Sequence, residues 1–460
     1  MPAAACSRRT FLEAALLSSL ALALPGRAQP ARRPNIVLIL ADDLGYGDIG
    51  CYGNTQNQTP HLDQMAREGL RFTDFHANGP VCSPTRAALL TGRYQQRMGI
   101  EHPIGYQGSG LGAVDETTIA TRLQQAGYAT GLMGKWHLGT QPADHPLKHG
   151  FDEFRGHLYS AQDYHSHVNR WGLMDWWHND QRVFEEGYNT HLITQHSIDF
   201  IEAHRSQPFF LMVSHSAIHF PWMTPEDPAY RREGGNYDNL SKLGPHEDVA
   251  PVVKTMVEDL DASVGQILAA LKENGLEEDT FVLFTSDNGG YRDYWSLHPG
   301  EISDNGPLRG QKTYVYEGGH RVPAIAWWPG TIAPGQETDA TAMTVDFSRT
   351  WLEWAGASIP APDAPDRLDG ISLSPLLRQQ ERLPERTLFF RTPSQGAARW
   401  NEWKLVWPKG EPAQLYNLAH DLGETSDLAE KHPAIVTQLK EAYLAWQEDV
   451  DASYQQQAGS

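Results

Sequence analysis

Four apolar runs of strand length stand out along the chain, and each is followed by polar or charged residues. The runs are residues 36–41, 129–133, 209–213 and 281–284. Continuous apolar runs are typical of strands that are covered on both faces in α/β sheets. Open α/β sheets bind ligands just beyond the carboxyl ends of their strands. We therefore expect the ends of these four runs to meet in one crevice.

Helical periodicity separates the apolar runs. It predicts helices over residues 62–68, 119–126, 190–204 and 252–274, the last of them ended by Gly275. No internal repeat is evident. The pattern predicts a large α/β domain over residues 33–375, with a mostly parallel or mixed central sheet flanked by helices.

A different pattern follows a Pro-rich connection at residues 359–365. Short apolar and aromatic pieces at residues 387–391, 402–407 and 414–417 precede an amphipathic helix over residues 433–446. This pattern predicts a small antiparallel sheet closed by a helix, in a C-terminal subdomain over residues 376–450.

The segment from residue 159 to residue 187 is rich in His and Trp and lacks clear periodicity. We interpret it as a loop near the mouth of the crevice. The alternative is an aromatic cluster packed beneath a long loop. Trp171, Trp176 and Trp177 could stack on sugar rings in the first case and would be packing residues in the second.

The stretch around Cys82 has the signals of a loop that turns into a helix. Ser83 suits the N-cap, Pro84 suits the first helical position, and apolar residues continue to Gly92. A thiol at a positive helix end becomes easier to ionise. Cys82 is therefore either a nucleophile or an ordinary buried cysteine, and this stretch alone does not decide between them.

Hard oxygen ligands follow two of the apolar runs. Asp42 and Asp43 follow the first, and Asp287 and Asn288 follow the fourth. Either pair alone could simply cap a helix or form a turn. Three carboxylates in one crevice repel one another unless a cation lies between them, and their oxygens suit Ca²⁺ or Mg²⁺.

These segments together resemble a known family. Residues 82–86, Cys-Ser-Pro-Thr-Arg, are similar to the Cys-x-Pro-x-Arg signature of type I sulfatases, in which a maturation enzyme converts the cysteine to formylglycine. Matching segments recur in family order from about residue 33 to residue 446, including 134–139, 309–319 and 415–425. The resemblance implies an alkaline-phosphatase-like fold, a modified Cys82, and a metal site, usually for Ca²⁺, whose ligands would be Asp42, Asp43, Cys82, Asp287 and Asn288.

The resemblance also implies roles for the cations. Arg86, Lys135 and Lys312 would supply positive charge at the reacting sulfate, and Lys135 and Lys312 would bind its oxygens, although surface exposure is the usual fate of lysine. Gln311 stands where the family usually has glycine. One hydroxyl of the hydrated formylglycine would attack sulfur, assisted by Arg86 and the metal.

Two histidines complete the implied chemistry. His219 would bind the substrate and protonate the leaving oxygen, and His137 would deprotonate the second hydroxyl so that sulfate is expelled. His215 is a rival for the role of His219, because the usual Pro-His-x-Pro is here Ile-His-Phe-Pro at residues 218–221. Most other histidines, including His61 and His76, are interpreted as structural or surface residues.

Composition narrows the partners and the compartment. The formal charge of −20 and the lack of a Lys/Arg run argue against binding to nucleic acid or to an anionic membrane surface. Residues 1–28 resemble a Tat signal peptide, with twin arginines before an apolar run too short to span a membrane. We therefore expect a soluble periplasmic or secreted protein, without disulfides because Cys51 has no partner once Cys6 is removed with the signal and Cys82 is modified.

Three functions are compatible with these sequence features. The first is a sulfuric ester hydrolase that acts on an alcohol or sugar sulfate. The second is a phosphonate or phosphate diester hydrolase of the same superfamily, and the third is a non-catalytic glycan-binding relative. The sequence specifies neither the sulfated substrate nor the oligomeric state.

Overall fold

A computed structural model describes residues 33–114, 116–239, 243–294 and 302–458. The predicted signal peptide lies outside the described residues. From Pro34 onward the chain forms one compact unit. No helix of the described ranges is both long and apolar enough to cross a bilayer.

The described chain contains strands of two to seven residues. In chain order they are β1 Asn35–Ala41, β2 Leu70–Phe72, β3 Phe75–His76, β4 Ala129–Lys135, β5 Glu153–His157, β6 Trp177–His178, β7 Gln181–Arg182, β8 Phe209–Ser214, β9 Thr280–Ser286, β10 Ala324–Trp327, β11 Gln336–Thr338, β12 Ala342–Met343, β13 Thr387–Thr392, β14 Gln395–Trp400, β15 Trp403–Pro408 and β16 Gln414–Asn417.

The central sheet has ten strands in the order β11-β2-β10-β9-β1-β8-β4-β5-β6-β7. The four predicted apolar runs form its adjacent parallel strands β9, β1, β8 and β4. Antiparallel strands flank this parallel centre at β10 and β6. The mixed α/β sheet expected from the sequence is therefore confirmed.

Helices cover both faces of the sheet. They are α1 Pro60–Glu68, α2 Cys82–Thr91, α3 Ile119–Gln125, α4 Asn189–His204, α5 Ala250–Glu273, α6 Glu317–His320, α7 Thr344–Ala355, α8 Ser374–Gln379 and α9 Pro433–Ala458. Short 3₁₀ turns occur at Gly50–Tyr52, Gln95–Met98, Leu111–Ala113, Pro142–Asp144, Pro146–Lys148 and Glu277–Asp279.

Alternate side chains of β1 supply two hydrophobic cores. Val37 and Ile39 face the core that contains α4 and α5, whereas Ile36 and Leu38 face the core that contains α3 and α7. Burial on both faces explains why the strand is apolar throughout instead of alternating.

The C-terminal region forms the predicted small sheet, with strands β13 to β16 antiparallel and in chain order. The prediction missed β14 and ended α9 twelve residues too early, at Trp446 instead of Ala458. β14 carries Gly396 and two alanines, which are weak strand formers. A side chain at Gly396 would meet Tyr443 and Trp407 within 3 Å, so tertiary packing selects the small residue.

Residues 159–187 form the expected loop, apart from the two-residue strands β6 and β7. Trp176 is fully buried and stacks on His167 at 4.6 Å between ring centroids. The suggestion that Trp176 stacks on a sugar is therefore wrong, whereas Trp171 remains 39% exposed.

Candidate active site

The carboxyl ends of the parallel strands lie level with one another. Ala41 pairs with Ser286, and Leu40 and Gly134 both pair with Ser214. This register places the residues that follow β1, β4, β8 and β9 at one edge of the sheet. The predicted crevice is present, because every proposed site residue converges there and is buried.

The proposed metal ligands lie together. Oxygen or sulfur atoms of Asp42, Cys82 and Asp287 lie within 4.8 Å of one another, as do ligand atoms of Asp42, Asp43 and His219. Asn288 joins the group through Nδ2, which donates to Asp43 Oδ1 at 2.9 Å.

Several polar atoms in this group lack partners among the described residues. The buried oxygens Asp42 Oδ1 and Asn288 Oδ1 accept no hydrogen bond from that part of the protein. Burial and the neighbouring Asp287 carboxylate raise the pKa of Asp42 to about 8. A cation among these oxygens would stabilise the ionised carboxylates, so the residues fit a hard divalent metal.

Cys82 is the first residue of α2, and Val81 occupies the N-cap position. The expected N-cap role of Ser83 is therefore wrong. The Ser83 hydroxyl instead donates to the His137 carbonyl at 2.8 Å and accepts from the Ile104 amide at 3.0 Å. Ser83 thus joins the Cys82 helix to the segment that carries His137.

The Cys82 thiol is not easily ionised, contrary to the expectation from its place at a helix end. Burial raises its pKa, and this effect outweighs the nearby Lys135 and Lys312 cations. A buried thiol that ionises less readily than usual argues against cysteine itself as the nucleophile.

Arg86 is held between two strand ends. Its Nε donates to Asp287 Oδ2 at 2.9 Å, and its Nη1 donates to the Lys135 carbonyl at 3.0 Å and the Ser214 hydroxyl at 2.6 Å. Sequence reasoning missed Ser214, although its position as the polar end of an apolar run was a usable signal.

The two lysines pair with the two adjacent aspartates. Lys135 donates to Asp42 Oδ2, and Lys312 donates to Asp43 Oδ1. Burial alone would lower the pKa of Lys312, but the Asp43 carboxylate raises it well above its usual value. Lys312 is therefore cationic in the crevice, where it can bind an anion.

His137 is arranged as a base. Its Nε2 lies 3.3 Å from the Ile104 carbonyl, which can only accept a hydrogen bond, so Nε2 carries the proton. Its buried Nδ1 has no partner within the described ranges and keeps its lone pair. Burial and the Lys135 charge hold the pKa of His137 well below its usual value.

His219, not His215, faces the proposed metal ligands. His219 Nδ1 donates to the Phe220 carbonyl at 2.8 Å, and Nε2 lies 3.9 Å from Asp43 Oδ2. His215 instead bonds to Ser263 on α5 at 3.0 Å. The geometry supports the packing role expected for His215.

The side-chain amide of Asn305 fixes the loop before Lys312. No sequence pattern indicated this residue. Asn305 Nδ2 donates to the Gly290 carbonyl at 3.0 Å, and its Oδ1 accepts from the Gly290 amide at 2.9 Å. Gln311, the departure from the family pattern, accepts from the Arg292 amide at 2.6 Å and donates to Asp293 at 2.9 Å. Both residues therefore stabilise the loop that presents Lys312.

A second buried cluster contains potential metal ligands, but cationic side chains already contact them. His76, Glu317 and His320 place ligand atoms within 4.8 Å of one another. Lys404 donates to Glu317 at 2.9 Å, and Arg399 lies 2.7 Å from His76 Nε2. We interpret this cluster as a network of ion pairs, which agrees with a structural role for His76.

Comparison with known proteins identifies the class. The family model described as Sulfatase matches residues 34–357, and the model described as N-sulphoglucosamine sulphohydrolase, C-terminal, matches residues 310–449. The chain therefore belongs to the sulfatase family and is an enzyme of that family.

Individual relatives agree with this assignment. N-acetylgalactosamine-6-sulfatase of Mus musculus is 35% identical over 415 residues, which cover 85% of this chain and 75% of the relative. Arylsulfatase A of Homo sapiens is 38% identical over 396 residues, covering 81% and 73%.

Solved structures share the fold. Ps i-CgsB, crystallised in complex with k-i-k-neocarrahexaose, matches with a TM-score of 0.79 and 29% identity over 90% of this chain and 93% of its own. The PsFucS1 sulfatase from Pseudoalteromonas sp. matches with a TM-score of 0.74 and 25% identity, covering 92% and 91%.

Proposed function

We propose that this sulfatase removes sulfate from sulfated carbohydrates by means of a formylglycine formed from Cys82. The observation that carries the proposal is the position of Cys82, within 4.8 Å of two carboxylates and in the same crevice as Lys135 and Lys312. The relatives named N-acetylgalactosamine-6-sulfatase and the neighbour solved in complex with k-i-k-neocarrahexaose support a sugar substrate.

The metal would be held by Asp42, Asp43, Asp287 and Asn288, together with residue 82. We propose Ca²⁺, because all four of these protein ligands offer hard oxygens. When bound, the ion supplies positive charge that polarises the sulfate oxygens and the nucleophile.

The protein's own residues would perform the remaining steps. Lys135 and Lys312 would bind the non-bridging sulfate oxygens, where negative charge persists through the transition state. Arg86 would fix Asp287 and the start of α2. His137 would accept a proton through Nδ1 when sulfate is expelled.

His219 would donate a proton to the leaving oxygen through Nε2. Burial and Lys135 depress its pKa in the free protein. A bound sulfate group brings negative charge next to the imidazole, which favours the protonated form. The acid therefore forms when the substrate binds.

The proposal is tested by peptide mass analysis of residue 82 together with turnover of an aryl sulfate. We expect loss of the thiol sulfur at residue 82, and at least a roughly 10³-fold loss of kcat in Cys82→Ser and Cys82→Ala. Cys51→Ser is the matched control and should retain activity, because Cys51 lies outside the crevice on the 3₁₀ turn Gly50–Tyr52.

Two outcomes would contradict the proposal. One is Cys82→Ser turnover comparable to wild type, and the other is an unmodified Cys82 in fully active enzyme. A higher kcat/KM for an aryl phosphonate monoester than for the matching sulfate would favour the phosphonate hydrolase instead.

We also propose export of the folded protein by a Tat-type signal in residues 1–28, after a cytoplasmic maturation enzyme has modified Cys82. The mature chain would then contain the catalytic domain, predicted over residues 33–375, and the C-terminal subdomain, predicted over residues 376–450 and extended to Ala458 by α9. Replacing Arg8 and Arg9 by lysine should retain the precursor in the cytoplasm, as measured by cell fractionation.

A further inference from the structure

The loop that follows β5 rises directly beside the active site. Leu158 accepts a hydrogen bond from the His137 amide at 3.0 Å, and the Tyr159 ring lies 6.0 Å from the His137 ring. Asp175 closes the base of the loop, because its carboxylate accepts from the amides of Leu158 at 3.2 Å and Tyr159 at 2.9 Å. The loop is therefore anchored to the catalytic edge at both of its ends.

The tip of this loop is Arg170 and Trp171, and a second segment holds its backbone. The Tyr237 amide donates to the Arg170 carbonyl, and the Gly234 amide donates to the Gly172 carbonyl, both at 2.9 Å. Gly172 has a φ of +73°, and a side chain there would collide with the Gly235 carbonyl. The tip is thus fixed in position.

The side chains at the tip remain accessible although the backbone is fixed. Trp171 is 39% exposed, and the Arg170 guanidinium lies 5.1 Å from its ring. Arg170 also pairs with Asp238, whose side chain is 36% exposed. A preordered indole beside a cation is an arrangement suited to binding a charged sugar.

Two tyrosines line the crevice. The Tyr159 ring, at the start of the loop, contacts the His137 ring, and Tyr294 lines a recess with Asp43. Burial raises the pKa of both tyrosines, and the Arg170 charge opposes this increase. This effect agrees with a loop tip beside the crevice, which the anchoring of the loop at His137 already indicates.

We propose that Arg170 and Trp171 form a second subsite, which binds a sulfate or carboxylate group on the sugar next to the one that is desulfated. The inference rests on the proposed function and narrows its substrate class to saccharides with more than one negative charge. The anionic group would replace Asp238 as the partner of Arg170. Since a solvent-exposed ion pair contributes little to stability, this exchange is feasible.

The test is isothermal titration calorimetry on full-length protein in a Cys82→Ala background, so that the ligand is not consumed. The probes are inorganic sulfate and tetrasaccharides from chondroitin 6-sulfate, desulfated chondroitin, heparin and carrageenan. We expect at least one tetrasaccharide to bind tenfold or more tightly than inorganic sulfate. Arg170→Ala should weaken that binding about tenfold while changing the Kd of inorganic sulfate less than twofold.

Two further variants separate a subsite from a structural role. Asp238→Asn should tighten tetrasaccharide binding, because it removes the competing anion, whereas loss of a structural ion pair would weaken it. Arg182→Ala is the matched control, because Arg182 makes a similar contact with Trp177 at 4.9 Å but lies on β7, the outermost strand of the sheet. It should leave every Kd unchanged.

The carrageenan probe carries sulfate without carboxylate, and desulfated chondroitin carries carboxylate without sulfate, so together they identify the anion. Equal Kd values for Cys82→Ala with and without Arg170→Ala, or no preference for any tetrasaccharide over inorganic sulfate, would overturn the inference. Hydrolysis of an aryl sulfate by protein with an intact Cys82 is measured separately. Its absence would refute the proposed function without affecting the binding result.

Discussion

Asp43 and His137 have left-handed backbone conformations, with φ of 66° and 54°. Such conformations are unfavourable by about 1–3 kcal/mol for residues with a side chain, and they persist where the surrounding structure determines them. Each residue lies just beyond the end of a parallel strand, where the chain must turn sharply. The turn directs a carboxylate and an imidazole into the same crevice.

Calcium should stabilise the protein through the carboxylates of this crevice. A ligand that binds only the folded state at 100 times its Kd adds about 2.7 kcal/mol to the free energy of unfolding. We expect a chelator to lower Tm, added Ca²⁺ to restore it, and Asp42→Asn to abolish the Ca²⁺-dependent change. Differential scanning fluorimetry measures all three.

Asp261→Asn is the control for the calcium prediction. Asp261 is also buried, but it accepts from the amides of His61 and Leu62 at the start of α1. This variant should lower Tm and keep the response to Ca²⁺. A full response in Asp42→Asn would disprove the proposed metal site.

Replacing His219 should affect poor leaving groups most. A general acid contributes about 10²–10⁴-fold when the leaving oxygen needs a proton, and much less for a nitrophenolate. His219→Gln should therefore lose far more kcat with a sugar sulfate than with p-nitrophenyl sulfate. His215→Gln serves as control, and equal losses on both substrates in His219→Gln would exclude the acid role.

At the scale of elements, the small C-terminal sheet holds the loop that carries Lys312. Arg309 lies 4.0 Å from the Tyr316 ring and donates to the Tyr416 hydroxyl at 2.9 Å. The Val315 amide donates to Gln395 Oε1 at 3.0 Å. The region matched by the C-terminal family model also begins at residue 310, so the same segment belongs to both parts of the molecule.

Lys404 is buried at the centre of the contact between the small sheet and the loop that carries Lys312. Replacing it should strongly lower the free energy of unfolding. Its Nζ lies 2.9 Å from Glu317 Oε1 and 3.0 Å from Glu424 Oε1, and all three side chains are fully buried. Breaking a buried ion pair from one side costs about 3–5 kcal/mol. Urea unfolding of Lys404→Met should show a loss of this size.

Two further variants test the Lys404 prediction. Lys409→Met, an exposed lysine just beyond β15, should change stability by less than about 0.5 kcal/mol. Adding Glu424→Gln to Lys404→Met should recover part of the loss, because one buried charge is removed. A loss below about 1 kcal/mol for Lys404→Met would mean that the network does not anchor the loop.

At the scale of the whole molecule, buried neutral histidines should make the protein sensitive to acid. Burial lowers the pKa of His215 to about 3 and that of His167 to about 4. Because these pKa values are lower in the folded protein than in the unfolded chain, the unfolded chain binds protons before the folded protein does as the pH falls below about 6.5. The stabilisation from these neutral histidines is therefore fully present above that pH. It is lost progressively as the pH falls toward their pKa in the folded protein.

For His215 alone, the decline amounts to about 2 kcal/mol at pH 5. His215→Gln should flatten the dependence of Tm on pH between 7 and 5. His191→Gln is the control, because a hydrogen bond to Asp259 raises the pKa of His191 and the sign is reversed. An unchanged slope in His215→Gln would show that other groups control acid unfolding.

Local sequence patterns determined most of the central strands and helices and the position of the crevice. Apolar runs identified β1, β4, β8 and β9 because strands buried on both faces must be apolar, and helical periodicity located α1, α3, α4 and α5 within two residues at each end. The polar residues after each run were sufficient to predict the crevice, since parallel strands place their carboxyl ends at one edge. The family resemblance selected several of these residues and added Cys82, Arg86 and Lys312, which follow none of the four runs.

Tertiary structure alone decided the remaining features. Burial, which no local pattern reports, raised the pKa of Cys82 against the effect of its helix end and enclosed Trp176 while leaving Trp171 exposed. Packing on Tyr443 and Trp407 made a strand of the weakly strand-forming residues around Gly396. The contacts of Arg170 with Asp238 and of Lys404 with Glu317 join residues 68 and 87 positions apart, and only the folded chain brings such residues together.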